Sequence, residues 1–493
     1  MKKAIGKHAA APSVANGREG RVSTYDLVII GGGSAAFAAA LKTSELGGHA
    51  VIVNAGPEHG GLPLGGTCTN VGCIPSKTLI RAAEAARRAQ QTSFEGLRVA
   101  GEVTDFAAVT RQTQALVTEL RRRKYVDVAG DDPNIAIIEG RARITSPHVV
   151  EVEGQTLRAR NILIATGARP FVPAIPGLEE IDYLTNEELY RLETRPEHLL
   201  ILGGRYIALE SAQAFARLGS RVTVLQRSPR ILPTEQADLT DALTAYLRQD
   251  GIDIRTGVTT RAVRRDDDEI LVETLINGQE QVFRSSHLLM TTGRQANTED
   301  LGLEALGIRT NGHGFLKVDE TLRTSISTIF GAGDVLGEQM FVYTAAYEGQ
   351  LAAQNAMSEG HNKRDYTALP WVVFTDPQVA GVGLDEHQAA EAGIDVDVAR
   401  LPLEAVPRAL AARDTRGFIK LLRDRATDRL VGARILAPEG AELLMEVALA
   451  IKYGITAKEL ATLFHPYLTL SEGVRLAALA FSKDVRKLSC CAA

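Results

Sequence analysis

Residues Tyr25–Gly33 read YDLVIIGGG, an apolar run that ends in three glycines. The Ala-rich stretch Ser34–Leu46 follows, and Ala50–Val53 is apolar again. Such a run, then helix formers, then a second run, is the strand–helix–strand start of a parallel sheet. Gly31-x-Gly33-x-x-Ala36 falls at the strand-to-helix turn. Glycines there let the backbone approach a pyrophosphate, which rests on the helix N-terminus. The unit recurs as His198–Gly204 (HLLILGG), Tyr206–Leu218 and Arg221–Leu225, and the spacing from Gly31 to Asn54 equals that from Gly203 to Gln226. Two matching modules predict an α/β fold with two Rossmann-like dinucleotide-binding domains.

The ends of the second strands discriminate between cofactors. A carboxylate there would hold a ribose 2′-hydroxyl. The first module has Asn54, which can bond a ribose without the charge. The second has Gln226, followed by Arg227 and then Arg230. Arginine in place of the carboxylate suits a 2′-phosphate, hence NADPH. This second fingerprint also carries Arg205 at the usual middle glycine and Ala208 at the third. Two further strands, Asn161–Arg169 (NILIATGAR) and His287–Arg294 (HLLMTTGR), end alike in Thr-Gly. Thr328–Asp334 (TIFGAGD) closes on Asp334, which suits the ribityl or pyrophosphate side of a flavin or, equally, a helix cap.

Between these modules lies Gly65–Lys77, GGTCTNVGCIPSK, leading into an expected helix over Thr78–Gln90. Cys68 and Cys73 thus stand at or near a helix N-terminus, where unpaired N–H groups and the dipole favour a thiolate. The chain has four cysteines, in two tight pairs, and a secreted scaffold would spread them. A reducing cytoplasm is implied. The second pair, Cys490-Cys491, is vicinal and awkward as a structural disulfide. Two soft thiolates near a chain end suit the capture of a thiophilic metal ion.

At 493 residues the chain predicts two to four domains, and a net charge of −5 argues against a nucleic-acid partner. No apolar run approaches the roughly 20 residues of a membrane span. Residues 1–24 have no apolar signal core and read as a disordered tail. From Asp365 onward, Pro370, Pro377, Pro402 and Pro407 punctuate short strands such as Gly417–Arg423 and Leu430–Leu436, before helices Ala441–Tyr453 and Thr456–Leu463. This reads as an α+β domain without a nucleotide fingerprint, whose use is dimerisation.

Together the two fingerprints, GTCTNVGCIPSK, ATGARP and GAGD resemble the flavoprotein pyridine nucleotide-disulfide oxidoreductases, from Tyr25 to Ala493. The resemblance implies a discontinuous FAD domain (25–170 and 296–364), an NADPH domain (171–295) and a homodimerisation domain (365–493). FAD contacts would come from Gly31, Gly33, Ala36 and Asn54, from Gly66, Thr67 and Lys77, and from Thr166, Gly167 and Asp334. Gly203, Tyr206, Glu210, Arg227 and Gly293 would serve the nicotinamide side. Cys73 would be the thiol against the flavin and Cys68 the interchange thiol. Lys77 would pair with Glu210, and Tyr206 would lie at the nicotinamide face.

Thiol-substrate members of the family carry a proton-shuttling His five residues before a C-terminal Glu. Here that register, counted from Glu472, holds Tyr467, and His465 is out of step by two and reads as structural. A phenol with an ordinary pKa near 10 cannot replace imidazole as a base at pH 7. With Cys490-Cys491, this resembles the mercuric reductase branch of the family. That implies Hg(II), arriving as thiolate complexes, held by Cys490 and Cys491 of one subunit and passed to Cys68 and Cys73 of the other, with Tyr467 as a partner-supplied accessory. Two alternatives are a thiol-disulfide reductase with an atypical Tyr467, and a metal-sequestering protein without turnover. The chain lacks any Cys-x-x-Cys before Cys68, and Ala55–Leu64 is longer than a direct connection needs.

Overall fold

The computed structural model of the chain describes residues 23–358 and 360–487. The first strand, Ser23–Ile30, lies between Ala50–Asn54 and Gln155–Ile164, parallel to both, and Ile135–Glu139 extends the sheet beyond Ala50–Asn54. These strands are covered on both faces, so Leu27–Ile30 and Ala50–Val53 are buried continuously and show no alternation. Gln155–Ile164 also pairs, through its second half, with Ile329–Gly331, so the chain returns to this sheet after building a second one. The first strand starts at Ser23 because Ser23 and Thr24 pair with Leu157 and Arg158, which shortens the expected tail. Residues 1–22 lie outside the described residues.

The second sheet is all-parallel, in the order Asp253–Thr256, Arg221–Gln226, His198–Leu202, His287–Met290. An antiparallel sheet of Val258–Asp266, Glu269–Ile276 and Gln279–Ser285 is inserted before its last strand. A short ribbon of Ala168–Pro170 against Arg294–Ala296 marks where the chain leaves the first sheet and comes back to it. The C-terminal sheet has five antiparallel strands, ordered Pro370–Val373, Gln378–Gly383, Leu430–Ala437, Phe418–Asp424, Val396–Pro402, with helix Gly440–Tyr453 packed on it. Two Rossmann-like units and a C-terminal α+β unit are thus in place. No helix among the described residues is long and apolar enough to cross a membrane.

One boundary moved in a way that matters. The redox helix runs Cys73–Gln90, five residues earlier than Thr78. Pro75 is accommodated in the first turn, where its missing N–H has no intrahelical partner anyway.

The fingerprint helix Ser34–Glu45 packs against Val342–Ser358, with Gly349 at the crossing. A Cβ on Gly349 would stand 2.1 Å from the Ala35 carbonyl oxygen. Helix propensity alone would make Gly349→Ala stabilising by about 1 kcal/mol. The packing predicts the opposite sign, a loss of about 1–3 kcal/mol with weaker FAD retention. Thermal unfolding of the holoenzyme decides it, and an unchanged or raised midpoint would rule out a tight crossing.

Candidate active site

Cys73 is the first residue of its helix, after the cap Gly72, and Cys68 sits in the short helix Gly66–Asn70. A Cβ on Gly72 would lie 2.9 Å from the Thr67 carbonyl oxygen, so only glycine lets the chain turn this tightly between the two thiols. Asn70 fixes the loop: its Nδ2 donates to the Pro63, Leu64 and Gly66 carbonyls, and its Oδ1 accepts from Arg121 at 3.0 Å. From the other side the Asn186 amide donates to the Val71 carbonyl at 2.9 Å.

Both cysteines are free and partly buried. A hydrogen bond between them raises the Cys68 pKa far above the usual thiol range, with burial adding to it. The same bond lowers the pKa of Cys73, and the Lys77 ammonium helps against the opposing effect of burial. The bond thus favours the thiolate at Cys73 over Cys68.

Lys77, one turn along, places Nζ 2.6 Å from Glu210 Oε2. Glu210 lies in the helix Tyr206–Arg217 of the second module, with its side chain 5% exposed. Its other oxygen accepts the Phe374 backbone N–H at 3.0 Å, and the Phe374 ring lies 4.6 Å from Lys77 Nζ. Further along that helix, Gln213 accepts from the Asp376 N–H at 2.7 Å and donates to the Asp376 carbonyl at 2.8 Å. Arg217 bridges Asp250 (2.8 Å) and Asp376 (2.9 Å), and Asp250 also takes Arg87 of the redox helix at 2.9 Å. Gln213, Arg217, Asp250 and Arg87 were not found from sequence.

The glycines expected at FAD form a bare cradle. Gly31 has φ +122, and a Cβ there would meet the Ala165 carbonyl oxygen at 2.2 Å; a Cβ on Gly66 would lie 2.9 Å from Gly33 Cα. Ala36 is fully buried behind them. Thr67 is in the Gly66–Asn70 helix, and Gly167 has φ +69. Thr166 Oγ1 and Arg294 Nε are buried with no hydrogen-bond partner among the described residues. Arg294 Nε stands 4.0 Å from the Asp334 carboxylate, whose pKa burial raises and Arg294 partly restores. Orphaned polar atoms beside a glycine cradle fit a dinucleotide. Asn54 donates to the Leu62 carbonyl at 3.1 Å, so its amide N–H ties down the long Ala55–Leu64 segment.

At the second module Gly203 has φ +126, and a Cβ there would meet Thr291 Oγ1 at 2.4 Å. Gly293 (φ +135) accepts from the Phe171 N–H through its carbonyl at 3.0 Å. Arg205, Arg227 and Arg230 are exposed, and their guanidinium groups make no ion pair or hydrogen bond among the described residues. Tyr206 opens the helix, its ring 6.2 Å from Phe341 and 6.0 Å from Trp371, and burial pushes its phenol up to about 12.

In the C-terminal unit, His465 Nε2 is 2.5 Å from Glu446, and its side chain is 7% exposed. Tyr467 is half-exposed, close in sequence to the exposed Phe464 and Leu468. Met445, Leu449 and Tyr453, at one-turn intervals on Gly440–Tyr453, are exposed as well. Cys490 and Cys491 lie outside the described residues.

Residues 25–359 match the family model described as pyridine nucleotide-disulphide oxidoreductase, and 369–478 match that family's dimerisation domain. A mercuric reductase of Streptomyces lividans is 45% identical over 95% of this chain and 98% of its own length. One of Staphylococcus aureus is 41% identical over 99% of this chain and 88% of its own length. Among solved structures, the Cu(II) complex of the HOCl-induced flavoprotein disulfide reductase RclA from Escherichia coli superposes with a TM-score of 0.83. It is 30% identical, over 94% of this chain and 100% of that one. FAD and NADPH are the cofactors. The chain belongs to the pyridine nucleotide-disulphide oxidoreductase family, as an FAD-dependent oxidoreductase that groups with the mercuric reductases.

Proposed function

We propose that the protein reduces Hg(II) to Hg(0) with the electron pair of NADPH, at the Cys68/Cys73 pair. The observation that carries this reading is the fate of His465. Releasing a thiol from a disulfide substrate needs a proton donor near neutral pH. Counted from Glu472, the shuttle register holds Tyr467, and the imidazole two residues away is 7% exposed and bonded to Glu446 inside its own domain. A metal ion bound by thiolates needs no such proton on its way to the neutral atom.

FAD, when bound, relays the electron pair between the nicotinamide and the dithiol. The rest falls to the chain. Cys73 offers a thiolate at once, and Cys68 becomes the second soft ligand when it gives up its proton. Lys77, held by Glu210, keeps a cation beside Cys73 and against the charge that arrives with the electrons. Arg227 is assigned to the 2′-phosphate, and Asp334, Thr166 and the glycine cradle to FAD. Tyr206 covers the nicotinamide face.

Cys490 and Cys491 of one subunit collect Hg(II) from its small-thiol complexes and hand it, by successive thiolate exchange, to the Cys68 and Cys73 of the other subunit. The ion is never bare along that route. Tyr467 of the same delivering subunit lies along the path. Two features support a homodimer that completes its sites in this way: the dimerisation domain and the exposed apolar residues of its surface. Cysteines confined to two pairs suit the reducing cytoplasm, where we place the enzyme; fractionation against a cytoplasmic marker tests that placement.

Purified holoenzyme should oxidise NADPH when Hg(II) is added with excess small thiol, and stay idle with glutathione disulfide or lipoamide. The reverse pattern would make it a thiol-disulfide reductase. In the same assay Arg227→Ala should raise the KM for NADPH at least about tenfold, the scale of one lost charge-assisted pair, and leave that for NADH little changed. Equal effects would remove the 2′-phosphate assignment. The double variant Cys490→Ala/Cys491→Ala should lose turnover mainly with Hg(II) bound to bulky thiols. An identical profile across thiol ligands would dismiss delivery by the tail.

A further inference from the structure

Glu348 is 1% exposed in the middle of helix Val342–Ser358, among buried Ala345, Leu351 and Ala352. Its Oε2 accepts the Gly333 N–H at 2.6 Å, and its Oε1 accepts from the Tyr366 hydroxyl. Gly333 precedes Asp334 in the GAGD turn and has φ +81; a Cβ there would stand 3.2 Å from Ala35 Cβ and 3.3 Å from Ala345 Cβ. The residue after Glu348 is Gly349, packed on the Ala35 carbonyl of the fingerprint helix. One carboxyl therefore joins three things: the turn that carries Asp334, the helix that packs on the FAD fingerprint, and Tyr366 at the entry to the C-terminal unit.

Burying a carboxyl is costly unless its bonds offset the cost. No salt bridge within 4.0 Å compensates Glu348 among the described residues. Arg364 attracts it from the linker, but that guanidinium is paired with Glu338 at 2.9 Å, and Glu338 repels Glu348. The other titratable neighbours are Tyr366 and, 6.3 Å from it, Tyr347. The bonds to Gly333 and Tyr366 are thus what the carboxyl is there to make. We propose that Glu348 is a positioning residue for FAD: by gripping the Gly333 amide it fixes Asp334 beside the cofactor and couples that turn to the C-terminal unit through Tyr366. This rests on FAD lying along the Gly31–Gly33 cradle and Asp334.

The test uses holoenzyme and follows FAD release by recovery of flavin fluorescence. Glu348→Ala should raise the FAD Kd about tenfold, the scale of one hydrogen bond to a charged group. Glu348→Gln keeps an acceptor for Gly333 and a partner for Tyr366, and should stay within about threefold of wild type on the same scale. A second readout follows from charge. Burial pushes the Glu348 carboxyl from 4.5 up to about 7, so the folded chain holds a proton that the unfolded chain releases. That contribution to stability is complete below pH 4.5 and is lost as pH rises through about 7. The wild-type thermal midpoint should accordingly carry a decline across this window that Glu348→Gln lacks. Wild-type FAD retention in Glu348→Ala, or a glutamine no better than alanine, would overturn the proposal, as would equal pH slopes. Should the alanine variant not fold, Tyr366→Phe removes a donor to the ionised carboxylate and should move the decline to higher pH; an unmoved decline also overturns it. Wild-type protein purified without flavin would instead sink the FAD site itself, not Glu348's part in it.

Discussion

The Glu210 carboxylate is the joint on which the site depends. Its two oxygens have separate tasks, one on the Lys77 ammonium and one on the Phe374 amide. Lys77 belongs to the redox helix, Glu210 to the second module and Phe374 to the C-terminal unit. A buried carboxylate without its cation is strongly destabilising, so each of these elements is held to the other two. Gln213 and Arg217 repeat the arrangement one and two turns on, through Asp376. The helix Tyr206–Arg217 thus acts as a spine with one face on the dithiol helix and one on the C-terminal segment. The position of Lys77 beside Cys73, which keeps a thiolate available, follows from that spine.

Around this joint the chemistry divides between backbone and side chains. Glycines supply space where a side chain would collide, at Gly31, Gly66, Gly72 and Gly203. The thiols supply charge that moves. Their mutual hydrogen bond raises the Cys68 pKa and lowers that of Cys73, with the Lys77 ammonium adding to the second effect, so negative charge is favoured on Cys73. The pair is thus asymmetric before any substrate arrives, as a stepwise exchange of ligands requires.

What could be read from the chain was whatever local residue types force. A glycine at a strand-to-helix turn, two cysteines at a helix start and an arginine in place of a ribose-binding acid each state their physics within a few residues. The redox helix starts at Cys73, ahead of the Ala-rich run that marks it in the sequence, because a cap and first turn accept Gly72 and Pro75 where a helix interior disfavours both. The antiparallel insert Val258–Ser285 went unseen because its outer strands, Val258–Asp266 and Gln279–Ser285, are largely polar and exposed and present little apolar face to mark them. Gln213 and Arg217 were invisible for another reason: their partner Asp376 lies some 160 residues away, and no local pattern announces a tertiary hydrogen bond or ion pair. Tyr467 was legible only by counting from Glu472, and the His465–Glu446 pair then showed what the nearby imidazole is used for.

The central claim is that electrons leaving NADPH end on a metal ion held by Cys68 and Cys73. Its most direct measurement is the stoichiometry of a limited, anaerobic reaction, with mercury vapour trapped and counted against NADPH consumed. The account predicts one Hg(0) released per NADPH in the wild type, and none when Cys68 or Cys73 is alanine. NADPH consumed without release of mercury, or release that persists in both alanine variants, would contradict it.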